Sequence, residues 1–268
     1  MSDDAAPATD LAARAELDYL TYARSFGRVP GVSIVDDGEL LARRGVPAHD
    51  YLNLVLGTWT TNEHVDRVID RAIEQVGGPG RPFTWSVWPS NKPAGLRDRL
   101  VARGCALLGD GPLMTIDLQT AELPAEPPAG LAIERVTEAA VLREAALAAM
   151  APGAGESAAT DVFQAAYERL ILGREPEMRY FAGRVDGRIV ATSALYVGTG
   201  VAGIYAVGTA PDQRGRGFGR VLTATALLEG RRLGYRTGAL LSSEMDIPVY
   251  RRLGFEAVGT VGFYAGPG

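Results

Sequence analysis

The sequence predicts an α/β or α+β protein built on a mixed sheet, and three observations carry that prediction. The second half alternates strand-like and helix-like segments. Asp186-Gly187 stands between two apolar runs, where a two-residue hairpin turn needs residues that tolerate positive φ. The stretch from Ala121 to Gly130 contains Pro124, Pro127 and Pro128, which remove backbone donors and cannot continue a helix or central strand. That stretch reads as a linker, dividing the chain into residues 1–120 and 131–268.

Taken in order, a helix is expected from about Asp10 to Phe26. From Asn62 to Val76, the residues Val65, Val68, Ile69, Ala72, Ile73 and Val76 recur at helical spacing and make one apolar stripe. After the linker come a short strand at Leu131 to Val136 and helices around Glu138 to Met150 and Asp161 to Ile171. Met178 to Val185 and Arg188 to Val197 form the two arms of the hairpin. Gly198-Thr199-Gly200 turns into a third strand, Val201 to Thr209. A helix from Gly219 to Leu233, a strand from Thr237 to Ser242, a helix from Ile247 to Leu253 and a strand near Glu256 to Tyr264 complete the chain.

Composition bounds the function. The 268 residues are 47% hydrophobic and 22% charged, an ordinary globular profile with room for one large domain or two smaller ones. A formal net charge of −5 leaves no diffuse basic surface for nucleic acid, although a local basic patch can still hold a phosphorylated cofactor. Cys105 is the single cysteine, so no intrachain disulfide forms, and His49 and His64 alone cannot complete a structural zinc site. A reducing, cytoplasmic setting is expected. The first residues are acidic where a signal peptide is basic, and no run approaches the roughly 20 apolar residues of a membrane span.

The chemistry is expected in the segment from Val207 to Arg220, which leaves a strand, turns and opens a helix. Its core from Arg214 to Gly219 reads Arg-x-x-Gly-x-Gly. Glycine lets consecutive amides turn toward one anion, and the following helix adds unpaired N–H groups and its positive dipole end. This pattern suits a pyrophosphate. It lacks the Lys-Ser/Thr ending of a nucleotide P-loop and the strand-helix repeat with an acidic ribose ligand of dinucleotide folds.

With this loop, the sequence resembles the GCN5-related N-acetyltransferase (GNAT) superfamily. The resemblance continues from Ala239 through Tyr250 to Leu253-Gly254-Phe255, a second cofactor-side segment, and covers about Leu131 to Gly268. It implies a mixed, mostly antiparallel sheet flanked by helices. It also implies acetyl-CoA as cofactor and an amine as acceptor. Val207, Gly208 and Thr209 would pair with the pantetheine arm as an added strand, while Arg214, Gly215, Arg216, Gly217, Phe218, Gly219 and Arg220 would hold the pyrophosphate. A backbone amide near Val207 would polarise the thioester carbonyl.

Tyr250 stands where many members of the family carry a tyrosine near the cofactor sulfur. A phenol with a reference pKa near 10 can donate to a departing thiolate, though a packed amphipathic tyrosine would serve the core alone. An amine is mostly protonated at neutral pH and must lose a proton before attack. Glu156 and Glu244 are the candidate bases, acting directly or through water, and each also reads as a solvated surface carboxylate.

Arg103-Gly104-Cys105 overlays Leu253-Gly254-Phe255 at a constant offset of 150 positions, and both follow a short helix. Residues 1–120 therefore read as a diverged copy of the second half. Leu100 stands at the place of Tyr250, and Tyr51 to Asn62 has neither arginine nor closely spaced glycines. One cofactor site per chain is expected, with the first half supplying stability, dimer contacts or an acceptor wall that Trp59, Trp85 and Trp88 could line. The expected function is acetyl-CoA-dependent N-acyl transfer by direct attack in a ternary complex. The alternative is an acyl-CoA-binding regulatory or interaction module without turnover.

Overall fold

A computed structural model describes residues 8–46, 52–78, 80–149, 158–174 and 176–267. The first half contains α1 (Ala8–Ser25), β1 (Val32–Asp36), β2 (Leu40–Gly45), β3 (Leu54–Thr58), α2 (Val65–Val76), β4 (Thr84–Val87), α3 (Leu96–Ala102) and β5 (Ala106–Asp117). The second half contains β6 (Ala132–Arg135), α4 (Ala139–Ala149), α5 (Ala158–Leu172), β7 (Met178–Val185), β8 (Arg188–Tyr196), β9 (Ala202–Thr209), α6 (Phe218–Arg232), β10 (Thr237–Leu241), α7 (Ile247–Arg251) and β11 (Glu256–Ala265). His49 and Glu156 lie outside the described residues.

Local chemistry accounts for the clearest elements. Asp186 and Gly187 have φ of 49° and 80°, and this turn sets the β7–β8 register in which Val185 faces Arg188. The apolar stripe of α2 buries Val65, Val68, Ile69, Ala72 and Val76, and each of its valine and isoleucine side chains is worth on the order of 2 kcal/mol when removed from water. After α3 and α7 the chain turns through Gly104 and Gly254, with φ of 80° and 99°. The closing hydrogen bonds match at the same offset, from Cys105 N to Leu100 O at 3.0 Å and from Phe255 N to Tyr250 O at 3.1 Å.

The strands form one sheet of eleven in the order β1-β2-β3-β4-β11-β5-β10-β9-β8-β7-β6. Its ladders are antiparallel except β3–β4 and β9–β10. From the central β11–β5 pair outward, β4, β3, β2 and β1 on one side mirror β10, β9, β8 and β7 on the other. Each half places its last strand beside the other half's strands: β5 pairs with β10, and β11 with β4. The Pro-rich stretch is irregular in the chain, yet the sheet runs unbroken past it. Pulling the halves apart would break both exchanged ladders and the long β5–β11 pairing.

Strand alternation sends side chains to two faces. One face carries α2, α3, α6 and α7, with Val55 and Trp85 at one end and Ile204, Leu227 and Leu240 at the other. The opposite face carries α1, α4 and α5, packed through Phe26, Leu142, Tyr180 and Trp88. Among the described residues no helix is long and apolar enough to cross a membrane.

Candidate functional site

The site begins where two parallel strands part. β9 pairs with β10 at only two positions, Ala202 with Gly238 and Ala239 with Gly203. From Ile204 to Thr209, β9 keeps its other neighbour, β8, but its edge toward β10 is outside any ladder. Backbone N–H and C=O groups along a strand edge are obligatory hydrogen-bonding groups, so this edge is a template for an extended ligand.

Within the fork the strand bulges. The β8–β9 register slips between Thr192 and Ala194, and Ala206 sits at φ 49°, a conformation that costs a non-glycine residue about 1 kcal/mol or more. The fully buried Thr192 donates its hydroxyl to the Ala206 carbonyl at 2.8 Å. The bulge changes the phase of the strand. Ile204 and Val207 pack toward the α6 face, whereas Tyr205 and Ala206 both pack toward the α1 face.

The loop after β9 then curls over the start of α6. Gly215 and Gly217 have φ of 78° and 80°, and no atom lies within 4 Å of where a Cβ would stand on either. Gly217 is the N-cap of the 15-residue α6 and supplies no side chain, so the first-turn N–H groups look outward from a positive dipole end. Arg214 donates from Nε to the Thr209 carbonyl at 3.3 Å, tying the loop to the strand. Arg216 stacks on the Phe218 ring at 4.6 Å and bonds Gln213.

These parts enclose a cavity of about 710 Å³, inside the range of roughly 300–1,000 Å³ usual for small-molecule sites. Val207, Gly208 and Thr209 form one wall, and Arg214, Gly215, Gly217, Phe218, Gly219 and Arg220 form another. Tyr250 closes it from α7 with Ser243, Met245, Asp246, Val249 and Arg252. The structure thus brings together every residue of the expected cofactor set except Arg216, which is not among the lining residues. Glu244 is exposed in a 3-10 turn and does not line the cavity, although its neighbours Ser243 and Met245 do.

Tyr250 is 6% exposed and meets Phe255 edge to face at 5.8 Å. Burial, reinforced by the negative charge of Asp246, raises its phenol well above the usual tyrosine range. Such a phenol stays protonated and is a donor rather than a base. Its hydroxyl has no hydrogen-bond partner among the described residues, so it can serve a ligand in the cavity. Arg252 is the lining cation that the loop pattern did not reveal; it lies two positions beyond Tyr250, outside the glycine motif.

The corresponding fork of the first half is filled by the chain itself. β3 pairs with β4 only through Leu54 and Val55. Beyond them Lys92 N donates to Thr58 O at 2.9 Å, Thr60 N reaches Lys92 O at 3.4 Å, and Trp59 bridges to Lys92. The Trp59 ring lies across Gly57, where a Cβ would meet it at 2.3 Å. Trp85 and Trp88 are buried core residues, and His64 is an exposed turn residue beside Glu39. Leu100, at the position of Tyr250, is fully buried.

A parallel fork, a bulged strand and a glycine-lined cavity at a helix N-terminus stand together on a mixed, mostly antiparallel sheet flanked by helices. Residues 144–255 match the Acetyltransferase (GNAT) family model, so this segment of the second half is similar to that family. No curated protein matches the sequence. Among solved structures, the chain is similar to a GCN5-related N-acetyltransferase from Kribbella flavida at TM-score 0.69 and 22% identity, covering 96% of both chains. It is similar to a GCN5-related N-acetyltransferase from Sphaerobacter thermophilus at TM-score 0.63 and 18% identity, covering 97% of this chain and 91% of that one. It also matches a tandem GNAT protein from the clavulanic acid biosynthesis pathway at TM-score 0.60 and 15% identity, covering 96% of each. At these identities the likeness is one of fold.

Proposed function

We propose that the chain is an acetyl-CoA-dependent N-acetyltransferase, with residues 131–268 as the catalytic unit and residues 1–120 as a diverged copy that binds no cofactor. The observation that carries this reading is the β9–β10 fork opening onto the Gly215–Gly217 cradle. Acetyl-CoA supplies an activated thioester acyl group. The open space beside Gly215 and Gly217, the outward amides of α6 and the guanidinium groups of Arg214, Arg220 and Arg252 suit its pyrophosphate. The free edge of Val207, Gly208 and Thr209 would pair with the amides of the pantetheine arm.

The bulge re-aims the backbone just before Val207, whose N–H would donate to the acyl carbonyl oxygen as negative charge develops there. Tyr250, held protonated by its burial, would deliver its proton to the leaving sulfur. An amine bound at the same time would attack directly, with no acyl group passing through the protein.

Calorimetry with acetyl-CoA, followed by release of free CoA with a panel of amines, tests the reading. One molecule should bind per chain, and at least one amine class should be acetylated. Tight binding without turnover would replace the enzyme by an acyl-CoA-binding module, and absence of binding would remove both.

A further inference from the structure

The acceptor amine needs a proton acceptor; Glu244 does not line the described cavity, and Glu156 lies outside the described residues. A different carboxylate does reach the fork. Asp18 comes from α1, in the first half, and is 1% exposed. A Cβ on Gly203 would meet Asp18 Oδ2 at 2.0 Å, so the carboxylate lies flat against β9 at its last pairing position with β10. It accepts hydrogen bonds from the Thr199 hydroxyl and, at 2.7 Å, from the Tyr205 hydroxyl. Tyr205 is half-buried, sits beside the bulge two residues before Val207, and faces away from the cofactor cavity's α6 wall.

The surroundings are aromatic, and the buried Arg43 acts electrostatically on Tyr19 and Tyr22 among them. Tyr22 stacks on Tyr205 at 3.9 Å, and Tyr19 lies 6.2 Å from it. Tyr196 of β8 leans in from the other side, its hydroxyl bonded to Glu177, which pairs with Arg28. Tyr235 gives its hydroxyl to Val197 O, Arg14 binds Gly200 O, and Arg43 lies over Phe26. Glu16 bonds Ser90 instead. Among the described residues no Lys, Arg or His pairs with Asp18. A buried carboxylate in no ion pair with a described residue, beside several phenols, favours a cationic visitor or a proton.

We propose that Tyr205 and Asp18 form the proton route for the acceptor amine, with Tyr205 as the catalytic residue that meets the ammonium and Asp18 as its positioning residue and the final proton acceptor. The proposal rests on the acyl-transfer reading above. The ammonium N–H bond breaks and its proton passes to the Tyr205 oxygen while the Tyr205 proton passes to Asp18 Oδ2. The freed nitrogen lone pair forms the N–C bond, the C–S bond breaks, the sulfur takes the Tyr250 proton, and the second surplus proton on nitrogen leaves to solvent as the amide forms. Exchange with solvent then returns Asp18 and Tyr250 to their starting forms. Burial raises the Asp18 carboxyl to about 6, so it is ionised and still basic at neutral pH. The first half thereby supplies the base, and the acceptor enters on the α1 face, opposite the cofactor.

The test compares the wild-type chain with Tyr205→Phe, Asp18→Asn and Thr199→Val in acetyl transfer from pH 5 to 9.5, with acetyl-CoA affinity and thermal melting measured alongside. Tyr205→Phe and Asp18→Asn should lower kcat/KM for the amine at least 50-fold, leave acetyl-CoA affinity within twofold, and abolish an acidic limb near pH 6. Thr199→Val removes a bond that favours the ionised form, so it should move that limb to higher pH while keeping transfer. Folded variants within threefold of wild type, or an unmoved limb in Thr199→Val, would overturn the route. If Asp18→Asn does not fold, Tyr205→Phe and Thr199→Val still decide. A wild-type chain that binds acetyl-CoA but acetylates no amine would overturn the acyl-transfer reading itself, an outcome separate from active but unresponsive variants.

Discussion

Thr192 donates its hydroxyl to the carbonyl of Ala206 at 2.8 Å, joining a fully buried threonine of β8 to the residue where β9 turns out of its regular path. This bond holds the bulge that re-aims the Val207 amide. Thr192→Val keeps the shape and removes the donor. Stability should fall by about 1 kcal/mol, or roughly 2–4 °C in Tm for a chain of this size. Transfer should fall more steeply than acetyl-CoA affinity, which kcat and calorimetry on the same preparation would show.

Gly217 stands at φ 80° as the cap of α6, with open space where its side chain would be. Gly217→Val forces a β-branched residue into the left-handed region and places a side chain in the anion cradle. Acetyl-CoA affinity should drop at least tenfold. Unchanged affinity would remove the pyrophosphate from this loop.

Tyr250 buries its ring against Phe255, and its hydroxyl has no hydrogen-bond partner among the described residues. Tyr250→Phe should therefore be within about 0.5 kcal/mol of wild type in stability, since nothing in the fold loses a bond. Turnover should fall by 10-fold or more at constant acetyl-CoA affinity. Equal turnover would reject its part in delivering a proton to sulfur.

Asp18 also predicts a pH effect on the free protein. Its folded carboxyl titrates at about 6 against an ordinary 3.8, so between those values the folded chain holds a proton that the unfolded chain has lost. The contribution of Asp18 to stability is full below about pH 4 and is lost as pH rises through 6, on the order of 2–3 kcal/mol. Asp18→Asn lacks this titration. The stability of wild type relative to Asp18→Asn, followed by urea unfolding, should decline from pH 4 to pH 7 and then level off.

Much of the second half was legible because its determinants are local. Asp186-Gly187 specifies its hairpin by tolerated φ, and the predicted limits of β7, β8, β9, α6 and β11 fall within one residue of those observed. The helix predicted to Leu253 ends at Arg251, where the chain begins to turn toward Gly254. β1 and β2 had no sequence forecast. Arg43 and Arg44 interrupt the apolar pattern of β2, and only its place between β1 and β3, with Arg43 buried over Phe26, makes it a strand. The loop residues Arg214 to Arg220 were legible through glycine spacing, whereas Ser243, Val249 and Arg252 carry no comparable signal.

The sequence by itself determined the alternation of elements, the glycine-rich loop, and the lack of a hydroxyl at Leu100 and of a glycine-arginine loop around Trp59, because side-chain size, φ tolerance and missing donors act within a few residues of the chain. Tertiary structure alone decided that β5 and β11 exchange neighbours and that Lys92 fills the first fork. It also decided that Asp18 lies against Gly203, 185 positions along the chain. Those contacts depend on which strands pair across the sheet, and sheet pairing is settled by the burial of two faces at once rather than by any local run of residues.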